Sequence, residues 1–244
     1  MILLRHFILI LLLLLSLSSI AQVDLSGGFD FMGHPSSYIH LNQFKENNET
    51  GYFVFRQRYS ETIGSPYWHE DEKAIATLIL NDGSVIEEVP IQYDVYTDEI
   101  IATQEDQGEF IIDSKFFQEI FIDEGGSIAV FEKVHPDYPF KFYHILQATD
   151  AYIFFKDIDI SYNIQEIRVT GLTSEINRFN RRNIYYINFN GSVHKINLKK
   201  RDLMEIIPIY KRSAVKQFAK QHRLSYKSEP DVIEILDFVF SLSD

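Results

Sequence analysis

Short apolar runs, each ended by turn-forming residues, constrain the possible fold of this chain more than any other feature. Residues 74–89 contain two such runs on either side of an Asp-Gly pair at 82–83, and residues 184–198 contain two more around an Asn-Gly pair at 190–191. Such pairs supply the positive φ angles that a two-residue hairpin turn requires. The pattern therefore predicts two β-hairpins.

Further runs of the same kind fill most of the chain between these hairpins. Residues 51–59 are aromatic and β-branched, and residues 152–157 and 164–169 are two of the later runs. The connections are short and no long helical pattern interrupts them, which favours antiparallel neighbours. The predicted fold is mainly β, an antiparallel meander curled into a barrel or folded into a sandwich. The sequence leaves that choice open.

The spacing of apolar residues changes near the C-terminus. Residues 213–223 carry apolar side chains at helical spacing, with Lys216, Lys220 and Arg223 on the opposite face. Ser228 followed by Pro230 is typical of a helix start. Helices this short are not stable alone in water, so the sequence predicts two short helices packed on the β domain.

The N-terminus has the pattern of a secretory signal. A basic stretch at Arg5 precedes an apolar run at residues 7–15, and Ser19 and Ala21 fit a signal peptidase site. The mature chain is predicted to begin at Gln22. The apolar run is too short for a membrane-spanning helix, which needs roughly 20 residues.

These boundaries give four predicted segments. They are a signal peptide (1–21), an N-terminal extended or loop segment (22–50), an antiparallel β domain (51–210) and a C-terminal helical pair (211–244).

Charge is unevenly distributed along this cysteine-free chain. Residues 23–167 contain 27 acidic and 8 basic residues, residues 168–227 contain 3 acidic and 14 basic residues, and the tail from 228 contains five acids. A basic segment can bind polyanions. It can equally pack against the acidic body, and for an acidic exported chain we favour that interpretation. It predicts no binding to nucleic acid or to anionic vesicles.

Several segments together resemble a known group. The Gly64-Ser65-Pro66-Tyr67 segment, the stretches VPIQYDVYTDEI and YYINFNGSVHKI and the ending EPDVIEILDFVFSL resemble a group of uncharacterised exported proteins of Gram-negative bacteria. The resemblance implies export and a β-rich body with terminal helices. It implies no activity and therefore assigns no functional residue.

Candidate chemical groups are scattered along the sequence. Isolated histidines, with no metal-ligand spacing, are His34, His40, His135, His144 and His194. A lone histidine is usually a half-buried polar side chain.

Acidic and aromatic side chains give two further sets of candidates. Glu70, Asp71 and Glu72 follow Trp68 and His69 in the densest polar cluster, which is typical of a solvated loop. Asp157 and Asp159 would share one side of a strand, and a carboxylate pair can divide acid and base roles. Tyr67 and Trp68 could stack on a sugar or anchor an interface, although we favour packing against the β body.

No motif assigns a catalytic, cofactor-binding or metal-binding residue, and no cofactor is predicted. The sequence predicts an exported envelope protein, periplasmic or on the cell surface, that serves as a non-enzymatic binding or structural module. Its partner would be an unknown envelope protein or ligand. The alternative is a periplasmic hydrolase that acts on envelope polymers through carboxylates or histidines. No transmembrane helix is expected in the mature chain.

Overall fold

The structure, a computed structural model, describes residues 52–53, 62–69, 73–104, 108–169 and 172–242. In these residues twelve strands form one sheet in the order β1-β6-β5-β4-β3-β7-β8-β9-β10-β11-β12, with β2 beside β11. The strands are β1 (Tyr52–Phe53), β2 (Thr62–Ile63), β3 (Ala74–Leu80), β4 (Val85–Asp94), β5 (Glu99–Gln104), β6 (Gly108–Ile112), β7 (Phe117–Asp123), β8 (Ile128–Glu132), β9 (Tyr143–Ala148), β10 (Ile153–Val169), β11 (Leu172–Phe189) and β12 (Ser192–Ile196). The predicted mainly β class is confirmed.

All neighbouring strands on this path run antiparallel, and only the β2–β11 pair is parallel. Through the described residues the sheet stays open, because its path does not return from β12 to β1. The described strands thus form a curled, open meander.

Curling of the sheet creates one large interior, here called the body core. Strands β3 to β8 supply most of its buried side chains, but Ile158 and Ile160 of β10 and Phe179 of β11 belong to it as well. The segment 62–69 links these distant strands. Its first residues pair with β11, and the Trp68 amide donates to the Tyr93 carbonyl oxygen at 2.9 Å.

Both predicted hairpins are present. Asn190 and Gly191 have φ angles of 50° and 73°, and Phe189 lies opposite Ser192, so this turn has the two predicted residues. The β3–β4 turn is one residue longer than predicted. There the Leu80 amide donates to the Ser84 carbonyl oxygen at 2.8 Å, and Gly83 (φ 86°) takes the left-handed conformation.

The two longest strands were not predicted at full length. The runs 152–157 and 164–169 belong to one strand, β10, which pairs along its whole length with β11. The residues between them alternate apolar Ile158, Ile160 and Tyr162 with polar side chains. That alternation is typical of a strand with one buried face, but its polar members resemble turn residues.

Three helices follow the sheet: α1 (Lys200–Ile206), α2 (Arg212–Gln221) and α3 (Glu229–Ser241). The two predicted helices are confirmed, but α1 was missed and lies inside the segment predicted as β domain. It is one short element of seven residues, of which Leu203 and Met204 are buried. Ser228 stands at the start of α3 as predicted, yet its side chain makes no capping hydrogen bond.

The helices cover one face of β10 to β12 and form a second interior, here called the cap core. The sheet contributes the buried Tyr152, Phe154, Ile187 and Ile196, and all three helices contribute apolar side chains. None of the helices in the described residues has the length and apolar character needed to cross a bilayer.

Candidate functional site

Trp68 lies against the body core and is not a free aromatic. Its ring meets Phe131 edge-on at 5.0 Å and His144 at 4.9 Å, and the Arg181 guanidinium lies 5.0 Å from its centre. Its indole N–H donates to Glu124 at 3.1 Å. The predicted packing of Trp68 is confirmed, and these contacts hold the segment 62–69 on the sheet.

The dense polar cluster beside Trp68 does not form a described site. Glu70, Asp71 and Glu72 lie outside the described residues. His69 is described, and its Nε2 lies 3.9 Å from a Glu124 carboxylate oxygen.

The described histidines occupy separate environments. His135 stacks on Tyr143 at 5.7 Å, His144 stacks on Phe131 at 5.1 Å, and His194 stacks on Phe189 at 4.8 Å. His34 and His40 lie outside the described residues. Across the described ranges no three histidine or carboxylate side chains are grouped closely enough to hold a metal ion.

Asp157 and Asp159 share one side of β10, as predicted, but each faces its own cation. The Lys141 ammonium lies 2.8 Å from Asp157, and the Arg182 guanidinium lies 2.6 Å from Asp159. Two ion pairs of this kind differ from the acid and base pair of a glycoside hydrolase, in which both carboxyls flank the substrate. The structure thus gives these two residues a charge-pairing arrangement.

A buried polar group separates the two cores. Lys156, 8% exposed, follows Phe154 of the cap core and precedes Ile158 of the body core on the same face of β10. Its ammonium donates to both carboxylate oxygens of Glu229, at 2.9 and 3.0 Å, at the start of α3. The Tyr185 hydroxyl donates to the same carboxylate at 2.8 Å.

His144 faces Lys156 across the β9–β10 pair. Burial and, to a smaller extent, the nearby Lys156 charge lower its pKa from 6.5 to about 4, while Glu229 acts in the opposite direction. The imidazole is therefore neutral at neutral pH. With Lys156, Tyr185 and Glu229 it forms a polar boundary that fixes the cap on the sheet.

An open cleft of about 300 Å³ lies within the helical cap. Lys200 begins α1, Lys216 and Lys220 lie one turn apart on α2, and together they line the cleft. The other lining residues are Ala219, Leu224 and Tyr226. The set is here called the lysine cleft.

The predicted docking of the basic segment on the acidic body is met in one part of that segment, since Arg182 of β11 lies 2.6 Å from Asp159 of β10. The lysine cleft differs, because within the described ranges no carboxylate lies within 4.0 Å of the ammonium groups of Lys200, Lys216 or Lys220. The helices pack on the sheet largely through apolar side chains, and these three lysines line the cavity.

Sequence reasoning found only part of this site. Lys216 and Lys220 were recognised as one face of a helix, and the basic composition of residues 168–227 was the available signal. Lys200, Leu224 and Tyr226 were missed, because α1 was not predicted and the loop after α2 carries no motif.

Comparisons with protein-family models, with curated proteins and with solved structures found no match to this chain. Ammonium groups around a cavity attract anions, and this attraction is greatest where no carboxylate competes for the ammonium groups.

Proposed function

We propose that this protein is an exported envelope protein that works as a non-enzymatic binding module, with an anionic ligand held in the lysine cleft. The observation that carries the proposal is the convergence of Lys200, Lys216 and Lys220 on one cavity, where no carboxylate of the described residues pairs with them. Three like charges side by side repel each other, so an anion seated among them relieves repulsion and gains attraction.

The position of the lysine cleft also favours binding. Ala219 lines the cleft and is only 3% exposed, so it belongs at once to the cleft and to the cap core. The cap core in turn rests on β10 to β12. The lysines thus stand on helices fixed by a sheet, and a fixed scaffold loses little freedom when it binds a ligand.

Export is the second part of the proposal. It rests on the basic, apolar and small-residue pattern of residues 1–21 and on the resemblance to exported proteins. We expect the mature chain to begin at Gln22 and to reside in the periplasm or on the cell surface. The intact mass of the protein from the cell envelope tests this, and a chain that retains residues 1–21 would contradict it.

A direct test uses pyrophosphate as a compact anionic probe in isothermal titration calorimetry. We expect binding that weakens as salt is raised, because salt screens charge attraction. Replacing Lys216 and Lys220 together by Gln should remove most of it. The matched control replaces Lys195 and Lys115, two exposed lysines that neither line the cleft nor adjoin a residue that does, and should bind like wild type. Equal loss in both double variants would refute a specific cleft.

The alternative, a periplasmic hydrolase, is favoured by one observation. Burial raises the pKa of Asp98, and the Tyr93 hydroxyl donates a hydrogen bond to it. A general acid must carry a proton before the reaction, and a raised pKa favours that state. Asp98→Asn should then abolish release of soluble fragments from purified cell-wall polymer. Absence of such release from the wild-type protein would dismiss the hydrolase.

A further inference from the structure

The cationic side chains of the lysine cleft are all lysines, although the cap also contains arginines. Arg212 donates to the carbonyl oxygen of Ile207 at 2.8 Å, and Arg201 lies 3.2 Å from Glu205 on its own helix. The planar fork of arginine matches carboxylates and phosphates through paired hydrogen bonds, whereas lysine binds phosphate as a compact point charge. Three point charges suit a tetrahedral oxyanion that carries more than one negative charge.

Half of the residues that line the cleft are not charged. Leu224 and Ala219 offer aliphatic surface, and the ring of Tyr226 lies 5.8 Å from the Lys200 ammonium. The cavity volume of about 300 Å³ lies at the lower end of pockets that hold small organic molecules. A bare inorganic ion would leave this apolar surface in contact with water.

Tyr226 adds one more unsatisfied group. Its hydroxyl is buried and has no hydrogen-bond partner in the described part of the chain. Burial raises its pKa, so it remains a protonated donor at neutral pH. Buried polar groups are normally paired, so this hydroxyl marks an unsatisfied position at the wall of the cleft.

We infer that the ligand of the lysine cleft is a phosphate monoester with an apolar substituent, its phosphate among Lys200, Lys216 and Lys220 and its substituent on Leu224 and the Tyr226 ring. This inference rests on the proposed function and names the ligand class. The same chemistry can come from a soluble phosphorylated metabolite or from the phosphomonoester headgroup of a lipid.

The test compares three probes on the full chain by isothermal titration calorimetry: phenyl phosphate, inorganic phosphate and benzoate. We expect phenyl phosphate to bind at least about tenfold more tightly than either of the others, because only it uses both parts of the cleft. Equal binding of phosphate and phenyl phosphate, or tighter binding of benzoate, would overturn the inference and leave the proposed function standing. No binding of any probe, pyrophosphate included, would overturn both.

Variants separate the two parts of the cleft. Lys220→Gln should weaken both phosphate probes, whereas Leu224→Ser should weaken phenyl phosphate alone. Because Leu224 also packs on the cap core, Tyr226→Ser is a second variant, which removes the ring. We expect it to lose several-fold affinity for phenyl phosphate and to keep its affinity for inorganic phosphate. Phenyl phosphate affinity unchanged in both variants would contradict the assignment of the apolar side.

Vesicles distinguish the two sources of the phosphate group. Vesicles with phosphatidic acid in phosphatidylcholine are compared with vesicles of phosphatidylcholine alone. Binding to the first that phenyl phosphate displaces supports the inference with a lipid source. Phenyl phosphate binding without vesicle binding supports it with a soluble source. Vesicle binding that phenyl phosphate does not displace would contradict it, because the contact would then lie outside the cleft.

Discussion

The body core and the cap core differ in how they are built. The body core gathers side chains from strands that are far apart in the sheet order, from β3 to Phe179 of β11. The cap core gathers local side chains of three helices of seven, ten and thirteen residues on four sheet residues. Helices so short depend on packing for their stability. The cap therefore requires the sheet for its stability.

The two regions also differ in charge and meet at a polar boundary. The sheet region is acidic overall, α2 of the cap is basic, and α3 is acidic. Lys156 of the sheet pairs with Glu229 of α3 where the regions touch. A carboxylate of the cap thus neutralises a buried lysine of the sheet.

The largest expected effect is a cavity in the body core. Phe131 is 1% exposed and contacts both Trp68 and His144. Phe131→Ala should lower the free energy of unfolding by about 3–5 kcal/mol, measured by urea denaturation with Trp68 fluorescence, since Trp68 is the only tryptophan. The control Phe140→Ala removes a ring that is 72% exposed and should change little. Comparable losses in both variants would contradict the described packing.

A substitution at the polar boundary between the two cores should give the next largest loss of stability. Glu229→Ala leaves the Lys156 ammonium buried without its partner, and we expect a loss of about 2 kcal/mol, less than a fully buried pair because the Glu229 side chain is 26% exposed. Adding Lys156→Met should recover most of that loss, because the unpaired charge is then removed. Circular dichroism at 222 nm and Trp68 fluorescence report the cap and the body separately. Failure of the second substitution to restore stability would contradict the pairing.

Acid should act at the same boundary through His144. Its pKa is about 4 in the folded protein and 6.5 without the fold, so the unfolded chain binds a proton first. The stability that the neutral His144 side chain contributes is present in full above pH 6.5, and it is lost as the pH falls from 6.5 to 4. We expect a loss of about 2 kcal/mol, below the limit that the full pKa difference sets.

The variant His144→Phe isolates this effect from other titrating groups. It keeps an aromatic ring on Phe131 but cannot take up a proton. Unfolding free energies measured at pH 7 and pH 4.5 should therefore differ less in the variant than in wild type. An equal pH dependence in the two proteins would show that His144 is not responsible.

Local features of the sequence predicted the body better than the cap. Alternating apolar residues and turn pairs predict strands, because period two and positive φ are local properties. The Lys156–Glu229 pair joins residues 73 positions apart, and no local sequence pattern predicts it. Part of the lysine cleft could be predicted, because Lys216 and Lys220 fall one helical turn apart in the sequence. Lys200 joins them only through the packing of α1. Long-range charge placement was thus beyond local sequence patterns.

The smallest expected effect concerns stability and the lysines of the cleft. Replacing Lys216 and Lys220 by Gln should change the free energy of unfolding by less than about 0.5 kcal/mol, because neither has a carboxylate partner in the described residues. Arg182→Gln is the matched control. Arg182 pairs with Asp159 at 2.6 Å and is 75% exposed, so its loss should cost about 0.2–1 kcal/mol.

This last comparison decides between two roles for the basic cap. If its lysines compensated the acidic sheet region, their removal would destabilise the protein, and the loss would shrink as salt rises. If they serve a ligand, stability stays level or rises slightly as their mutual repulsion is removed, while binding of pyrophosphate falls. Urea denaturation at low and high salt measures the first quantity and calorimetry the second. A marked destabilisation at low salt with unchanged pyrophosphate binding would show that the lysines have a structural role.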